Sequence, residues 1–190
     1  SLYETGSGYY STQRIGVNAN AGGDYSLVSG GLNNTATSCY SFVGGGRNNF
    51  VNSPYTTISG GYNNSNQPVA GYSFIGGGEN NNVKNSHTVV NGGRNNTAIQ
   101  VAATVGGGFY NTANGAQSVI GGGRENTSIE AYSSIGGGCG NRTLGYMSTI
   151  SGGERNLVLD TQSTVSGGYA NKATRYGSTI GGGEFNTAGV

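Results

Sequence analysis

The sequence predicts an all-β fold, a parallel β-solenoid (β-roll) with about 15 residues in each coil. Three observations carry this prediction. A short motif recurs eleven times at a nearly fixed spacing, and every copy holds one β-branched aliphatic residue followed by paired glycines. No stretch shows the helical hydrophobic period. A fixed short period of this kind is typical of solenoids.

The motif reads Ser/Thr-x-(Val/Ile)-x-Gly-Gly-x-x-Asn, as in residues 118–126. Its aliphatic positions recur at one fixed interval, except for a single longer step between Ile58 and Ile75. Because side chains alternate along a strand, the Ser/Thr and the aliphatic residue point to the same face. We therefore predict a structural core made of Val28, Val43, Ile58, Ile75, Val90, Val105, Ile120, Ile135, Ile150, Val165 and Ile180.

An asparagine stands six positions after every aliphatic, and a small or β-branched residue mostly follows two positions later. We expect a second short strand in each coil, with this small residue pointing inward. Glycine and asparagine both tolerate left-handed backbone, so the Gly-Gly pair and the asparagine are expected at corners. Stacked in register, these side chains can hydrogen-bond to one another and to corner backbone. The predicted structural asparagine ladder comprises Asn34, Asn49, Asn64, Asn81, Asn96, Asn111, Asn126, Asn141, Asn156, Asn171 and Asn186.

The pattern also suggests boundaries within the chain. Residues 1–25 lack the Gly-Gly pair in register and show only a weak echo of the motif around Ile15 and Asn20, which indicates a lead-in segment or a degenerate first coil. Residues 26–190 are expected to form an eleven-coil β-solenoid repeat domain. The longer step adds two residues near Pro68, and at a corner such an insertion would bulge outward without disturbing the sheets.

The amino-acid composition excludes several classes of protein to which the chain could belong. Glycine makes up 39 of 190 residues and only 9% are charged, which would also suit a disordered chain, but the strict period argues against disorder. The glycines come in pairs rather than at every third position, which excludes collagen. A net charge of +1 without a basic run predicts neither nucleic acid nor a membrane surface as partner. No apolar run approaches the length of a spanning helix.

No catalytic, metal-binding or cofactor-binding residues are expected, and we predict that the chain is not an enzyme. The single histidine, His87, stands in a column of tyrosines three positions before the aliphatic. The serines have no neighbouring base to activate them, and no helix follows the glycines to hold a phosphate. Calcium-binding repeats need an aspartate in nearly every copy, whereas this chain has only Asp24 and Asp160.

The interior of a single coil is predicted to be thin. One Val or Ile and one Ala-sized residue contribute on the order of 2–4 kcal/mol of apolar burial. Ordering the backbone of one coil costs on the order of 15 kcal/mol or more. Three chains around an axis would let the aliphatic column bury against its symmetry mates, so we expect a homotrimer.

The repeat at residues 163–173 and its ten siblings resemble the head repeats of trimeric autotransporter adhesins, and similar repeats occur in bacteriophage tail-fibre proteins. The resemblance covers roughly residues 26–190. It implies a left-handed parallel β-roll, intertwined or packed as a homotrimer, that lies outside the cell on a cell or virion surface. It also implies a non-enzymatic fibre or adhesin segment that presents a surface for attachment.

Aromatic residues at variable corner positions, together with arginines, make a candidate surface for binding a host glycan or cell-surface receptor, because Tyr and Arg are common anchors at recognition surfaces. The alternative is that these side chains stack between coils or against neighbouring subunits. The candidate residues are Tyr62, Phe109, Tyr110, Tyr169, Phe185, Arg47, Arg94 and Arg124.

Two other functions remain open at the level of sequence. The chain could be a purely architectural subunit of an extracellular filament that stacks end to end without a ligand. It could also be an ice-binding solenoid, which would need a regular threonine array. In the position before the aliphatic, only Thr149, Thr164 and Thr179 form an unbroken threonine run.

Overall fold

A computed structural model describes residues 3–14 and 18–189, and it confirms the predicted fold class. The described residues form short parallel β-strands that wind as a β-solenoid with about 15 residues per turn, and none of them is helical. Ile15, where the sequence shows a weak echo of the motif, lies outside the described residues. The chain divides into two compact units, residues 1–95 and 96–190, each of which is described by itself.

Strands of the first unit alternate between two sheets. The first sheet has the order β1-β2-β4-β6-β8-β10-β12 and the second contains β3, β5, β7, β9 and β11. The strands are β1 (Tyr3–Thr5), β2 (Thr12–Arg14), β3 (Asn20–Ala21), β4 (Leu27–Val28), β5 (Thr35–Ala36), β6 (Phe42–Val43), β7 (Phe50–Val51), β8 (Thr57–Ile58), β9 (Ser65–Asn66), β10 (Phe74–Ile75), β11 (Asn82–Val83) and β12 (Val89–Val90).

The second unit repeats this arrangement. Its first sheet contains the even-numbered strands β14 to β24 and its second sheet the odd-numbered strands β13 to β25. The strands are β13 (Thr97–Ala98), β14 (Thr104–Val105), β15 (Thr112–Ala113), β16 (Val119–Ile120), β17 (Thr127–Ser128), β18 (Ser134–Ile135), β19 (Arg142–Thr143), β20 (Thr149–Ile150), β21 (Leu157–Val158), β22 (Thr164–Val165), β23 (Lys172–Ala173), β24 (Thr179–Ile180) and β25 (Thr187–Ala188).

Successive turns pair in register, so that each aliphatic residue lies over the next. Val43 pairs with Ile58, and Ile58 pairs with Ile75 even though the step between these two isoleucines is longer than the others. The two additional residues fall between β9 and β10, where Pro68 and Val69 are exposed. A corner insertion leaves both ladders intact because it changes no strand.

The aliphatic column forms the core inside each unit. All eleven residues are fully buried except Ile180, which is 7% exposed. Small residues of the second sheet close the interior from the opposite side, as do Ala36, Val51 and Ala113, together with buried Ser, Thr and Asn side chains. The expectation that symmetry mates are needed to bury the aliphatic column is therefore wrong, because one chain encloses it. The homotrimer itself stays a prediction.

The segment before residue 26 already contributes to both sheets. In β2, Thr12 pairs in parallel with Leu27, and in β3, Asn20 pairs in parallel with Thr35. By contrast, β1 runs antiparallel to β2, with Glu4 opposite Gln13. The side of β2 that faces away from β4 is thereby occupied by a strand of opposite direction.

Candidate functional site

Each turn has two opposite corners at which side chains point outward. The first lies between a first-sheet strand and the following second-sheet strand, directly after the paired glycines. In this corner Gly123 has a φ of 86°, and a Cβ atom there would lie less than 3.0 Å from the carbonyl oxygen of Gly138 in the next turn. The backbone of successive turns is thus too close for any side chain at this position.

The buried asparagine connects this corner to the core. The side-chain amide of Asn126 donates to the carbonyl oxygens of Gly122 and Gly138, both at 3.0 Å. Its Oδ1 accepts the backbone N–H of Asn141 in the next turn, also at 3.0 Å. An equivalent bond joins Asn34 to Asn49 in the first unit. The side chains therefore form a ladder that satisfies backbone groups inside the corner.

The position of the left-handed residue corrects one expectation. In the part of the chain that the structure describes, the buried asparagines do not have positive φ. The residue immediately before each of them does, with φ of 57° at Asn48, 57° at Glu125 and 55° at Arg155. The buried asparagine instead keeps a negative φ, and its side chain reaches inward to the glycine carbonyls.

We call the residues four and five positions after each aliphatic the edge column. In the first unit the column includes Arg47, Tyr62, Glu79 and Arg94, which pair by parallel bridges from turn to turn. The guanidinium carbon of Arg47 lies 5.9 Å from the Tyr62 ring centroid. Arg94 Nε lies 3.6 Å from a Glu79 carboxylate oxygen. The arginines and the tyrosine predicted for binding are therefore brought into one row.

In the second unit the edge column forms an aromatic and basic group near its C-terminal turns. Arg155 lies over the Tyr169 ring at 5.9 Å and donates to the Tyr169 hydroxyl at 2.8 Å. This hydrogen bond raises the pKa of Arg155, which keeps the guanidinium charged. The Phe185 ring meets Tyr169 edge to face, with centroids 5.2 Å apart.

Other predicted residues of the second unit lie earlier in the same column. Phe109 pairs with Arg124 of the next turn, and Tyr110 follows Phe109. Arg124 lies 3.7 Å from a Glu125 carboxylate oxygen and donates to the Cys139 sulfur at 3.4 Å. Phe109 and Tyr110 are about half exposed. These two rings are therefore exposed to solvent, while the backbone of Phe109 pairs with the next turn.

The second corner carries a feature that the sequence reasoning did not assign to binding. We call Tyr25, Tyr40, Tyr55, Tyr72 and His87 the tyrosine stack. Neighbouring rings lie within 10° of parallel, with centroids 4.8–5.3 Å apart. Tyrosine recurs three positions before the aliphatic residue, and this recurrence predicts from the sequence that these side chains lie in one row. Its exposure and ring geometry depend on how the corner is folded.

The residues that the structure describes form no enclosed ligand site and no metal site. Their surface carries no pocket, and no group of three or more His, Cys, Asp or Glu side chains is placed to hold a metal ion. No helix there is long and apolar enough to cross a bilayer. Cys39 and Cys139 are both free thiols.

Comparison with known proteins assigns no family. No protein-family model matches the sequence, and a search of curated proteins finds no match either. The structure itself shows the repeat β-solenoid, and this is the part of the resemblance to adhesin heads and tail fibres that it supports.

Proposed function

We propose that this chain is a repeat segment of a non-enzymatic, homotrimeric extracellular fibre on a cell or virion surface, and that its edge columns attach to a host or cell-surface partner. One observation carries the proposal. In each turn the repeated Ser/Thr, aliphatic and Asn side chains are mostly buried, whereas the residues that change from turn to turn face outward. A scaffold built in this way keeps its fold while the displayed surface varies.

The chemistry of the edge columns suits a glycan or a protein receptor. Phe109 is 51% and Phe185 70% exposed, and charged arginines lie in the same columns as the aromatic rings. Aromatic rings offer apolar area, and arginine offers several hydrogen-bond donors in a fixed plane. Such residues are frequent anchors at recognition surfaces.

A face of the first unit supports association with further copies of the chain. On the outer face of its first sheet, Leu27, Phe42, Phe74 and Val89 are only partly covered. A Cβ at Gly76 would lie 3.3 Å from the Phe74 ring, so this glycine places no side chain against that ring. A flat apolar sheet face is the type of surface that buries well against an identical one.

Attachment is tested by binding the chain to immobilised glycans and to host-cell surfaces. The triple variant Phe109→Ser, Tyr169→Ser, Phe185→Ser should lose binding because it removes three aromatic rings from the edge column of the second unit. The matched control Tyr176→Ser changes an exposed aromatic outside the edge column and should bind normally. If both variants bind equally well, attachment does not use the edge column. If the unmodified chain does not bind, the adhesin role is contradicted.

Trimerisation is tested by measuring mass in solution at micromolar concentration. The unmodified chain should have three times the monomer mass, and the double variant Phe42→Asp, Phe74→Asp should be monomeric because it places charges on the apolar face. A monomeric unmodified chain would overturn the homotrimer.

The end-to-end filament is the second candidate, and one contact disfavours it. A parallel neighbour stacking on the first sheet would need the edge of β2 that β1 already occupies in antiparallel orientation. Electron microscopy separates the two functions, since short separate particles support the fibre segment and indefinite filaments support the polymer.

Ice binding is supported only by short threonine rows. Thr149, Thr164 and Thr179 pair in register on the first sheet of the second unit. A further row, Thr97, Thr112 and Thr127, lies on the second sheet, where Arg142 ends it. Measurable thermal hysteresis of the purified chain would favour this function over attachment.

A further inference from the structure

The tyrosine stack is not required by the fold. At the same corner of the second unit stand Ala102, Gln117, Met147 and Gln162, with φ between 54° and 57°, and a single tyrosine, Tyr132, with a φ of 58°. Tyr40 has the same left-handed backbone, with a φ of 56°. Because several residue types adopt this backbone, the corner does not require tyrosine, and the successive tyrosines of the first unit are not explained by the fold.

The backbone holds neighbouring phenols together. The N–H of Tyr40 donates to the carbonyl oxygen of Asp24 in the preceding turn at 2.9 Å, and that of Tyr55 donates to the carbonyl oxygen of Cys39 at 3.2 Å. The ring centroids of Tyr25 and Tyr40 are 5.0 Å apart, those of Tyr40 and Tyr55 4.9 Å, and those of Tyr55 and Tyr72 4.8 Å. The backbone hydrogen bonds between turns thus keep each phenol ring beside another phenol ring.

The stack is also open to solvent. Tyr25, Tyr40 and Tyr55 are 47–49% exposed, and Tyr72 is 59% exposed. The flat faces of the inner rings are covered by their neighbours, so the ring edges and hydroxyl groups are what a reagent meets. The exposed rings can also tilt about their side-chain torsions, since about half of each side chain faces solvent.

We propose that the tyrosine stack is an oxidative modification site at which neighbouring turns become joined by dityrosine bonds. The co-reactant is a one-electron phenol oxidant, such as a haem peroxidase supplied with hydrogen peroxide. The inference is independent of attachment and of trimer formation, because it concerns pairs of side chains within one chain.

The chemistry balances with two tyrosines and one peroxide. The oxidant removes one electron and the hydroxyl proton from each of two phenols, and each phenoxyl radical carries spin density on the ring carbons beside the oxygen. Two such carbons form a C–C bond, and the hydrogen on each moves to its oxygen, which restores both phenols. The peroxide accepts two electrons and two protons and leaves as two molecules of water. Holding the reactants side by side makes the coupling step unimolecular.

The full chain is treated in dilute solution with peroxidase and peroxide, digested with trypsin and analysed by mass spectrometry. Cleavage after Arg47 separates Tyr40 from Tyr55, so their bond joins the peptides 15–47 and 48–84. We expect this linked pair, lighter by two hydrogen atoms than the sum of its peptides, at a yield that does not fall when the chain is diluted further.

Matched variants distinguish the stack from general tyrosine oxidation. Tyr40→Phe keeps the stacked ring but removes the hydroxyl, and it should abolish the bond between the two peptides. Tyr176→Phe changes an exposed tyrosine outside the stack and should leave the yield unchanged. The proposal is overturned if the linked pair falls in proportion to chain concentration, or if it persists undiminished in Tyr40→Phe. Thermal unfolding of each variant verifies that the fold is retained.

Discussion

The buried asparagine of each turn acts on three backbone groups at once. Asn126 bonds two glycine carbonyls through its amide and one backbone N–H through its oxygen. Alanine cannot form any of these hydrogen bonds. Water cannot readily replace them either, because the residue is fully buried. The asparagine is therefore the residue on which corner geometry depends most directly.

Replacing this residue should destabilise the chain. Asn126→Ala leaves the Gly122 carbonyl and the Asn141 N–H without these partners, and the free energy of unfolding should fall by about 3 kcal/mol. The matched control Asn114→Ala changes a half-buried asparagine outside the ladder and should alter stability by less than about 0.5 kcal/mol. Urea denaturation measures both variants, and equal losses would contradict the role of the ladder.

Within the tyrosine stack, Tyr40 should titrate abnormally. Partial burial raises the pKa of its phenol, and the phenolates that Tyr25 and Tyr55 form at high pH raise it further. The folded chain therefore holds this proton more tightly than the unfolded chain does. Its contribution to stability is complete below the unfolded value of about 10 and disappears as pH rises through the folded value.

Tyrosinate absorbance tests this shift. The unmodified chain should show a component that titrates above about pH 10, to which Tyr9 also contributes because its hydrogen bond with Tyr10 raises its pKa. Tyr40→Phe should make this component smaller without removing it. If the substitution instead reduces the absorbance change near that ordinary value, Tyr40 titrates normally and the expected coupling between the stacked phenols is absent.

At the level of elements, most strands are only two residues long, so the corners decide how turns stack. The two adjacent glycines of the motif differ in what they require. A Cβ at Gly123 would lie less than 3.0 Å from a carbonyl oxygen of the next turn, whereas a Cβ at Gly122 would meet nothing within 4 Å. In this pair, close backbone approach together with positive φ is confined to the second glycine.

Alanine substitution should lower the free energy of unfolding much more at Gly123 than at Gly122. Gly123→Ala should lower the free energy of unfolding by about 3 kcal/mol or more, because it combines left-handed strain with a backbone clash. Gly122→Ala should change it by less than about 1 kcal/mol. Thermal unfolding of the two variants provides the comparison, and similar midpoints would show that the corner relaxes around a Cβ.

At the level of the whole molecule, charge contributes little to stability. Only 9% of residues are charged, and the ion pairs that the structure describes, Arg94–Glu79, Arg124–Glu125 and Arg155–Glu154, are all exposed at 3.6–3.7 Å. Exposed pairs of this kind contribute about 0–1 kcal/mol each. The fold is stabilised instead by the hydrogen-bonded ladders and by the aliphatic core.

Stability should therefore be nearly independent of salt. Raising sodium chloride to about 1 M shortens the screening length to about 3 Å and weakens exposed ion pairs. The thermal unfolding midpoint should not fall, because the interactions that hold the turns together are buried. A marked decrease would indicate that the charges of the edge columns stabilise the chain.

Much of the fold could be predicted from the sequence because the repeats align to one another. Val43, Ile58 and their siblings recur with the small residues of the second strand, and this period predicts two short strands per turn and a β-solenoid. The repeat predicts left-handed backbone at the buried asparagine, whereas the structure has it one residue earlier. A recurring asparagine is expected both where the backbone is left-handed and where a buried side chain bonds to backbone, and the sequence does not distinguish the two. Symmetry mates are not needed to bury the aliphatic column, because Ser, Thr and Asn side chains of the same chain close the interior together with the small residues.

The candidate site was predictable only in part. Variable aromatic and arginine positions could be read from the columns, but the contact of Arg155 with Tyr169 and the parallel rings of the tyrosine stack could not. Sequence alone determined the period, the buried columns and the parallel β-solenoid, because a fixed spacing admits few ways to stack strands. Tertiary structure decided which residue takes the left-handed backbone, which glycine faces a neighbouring turn and which side chains meet at the corners. These depend on distances of a few ångströms between turns, which a one-dimensional pattern does not contain.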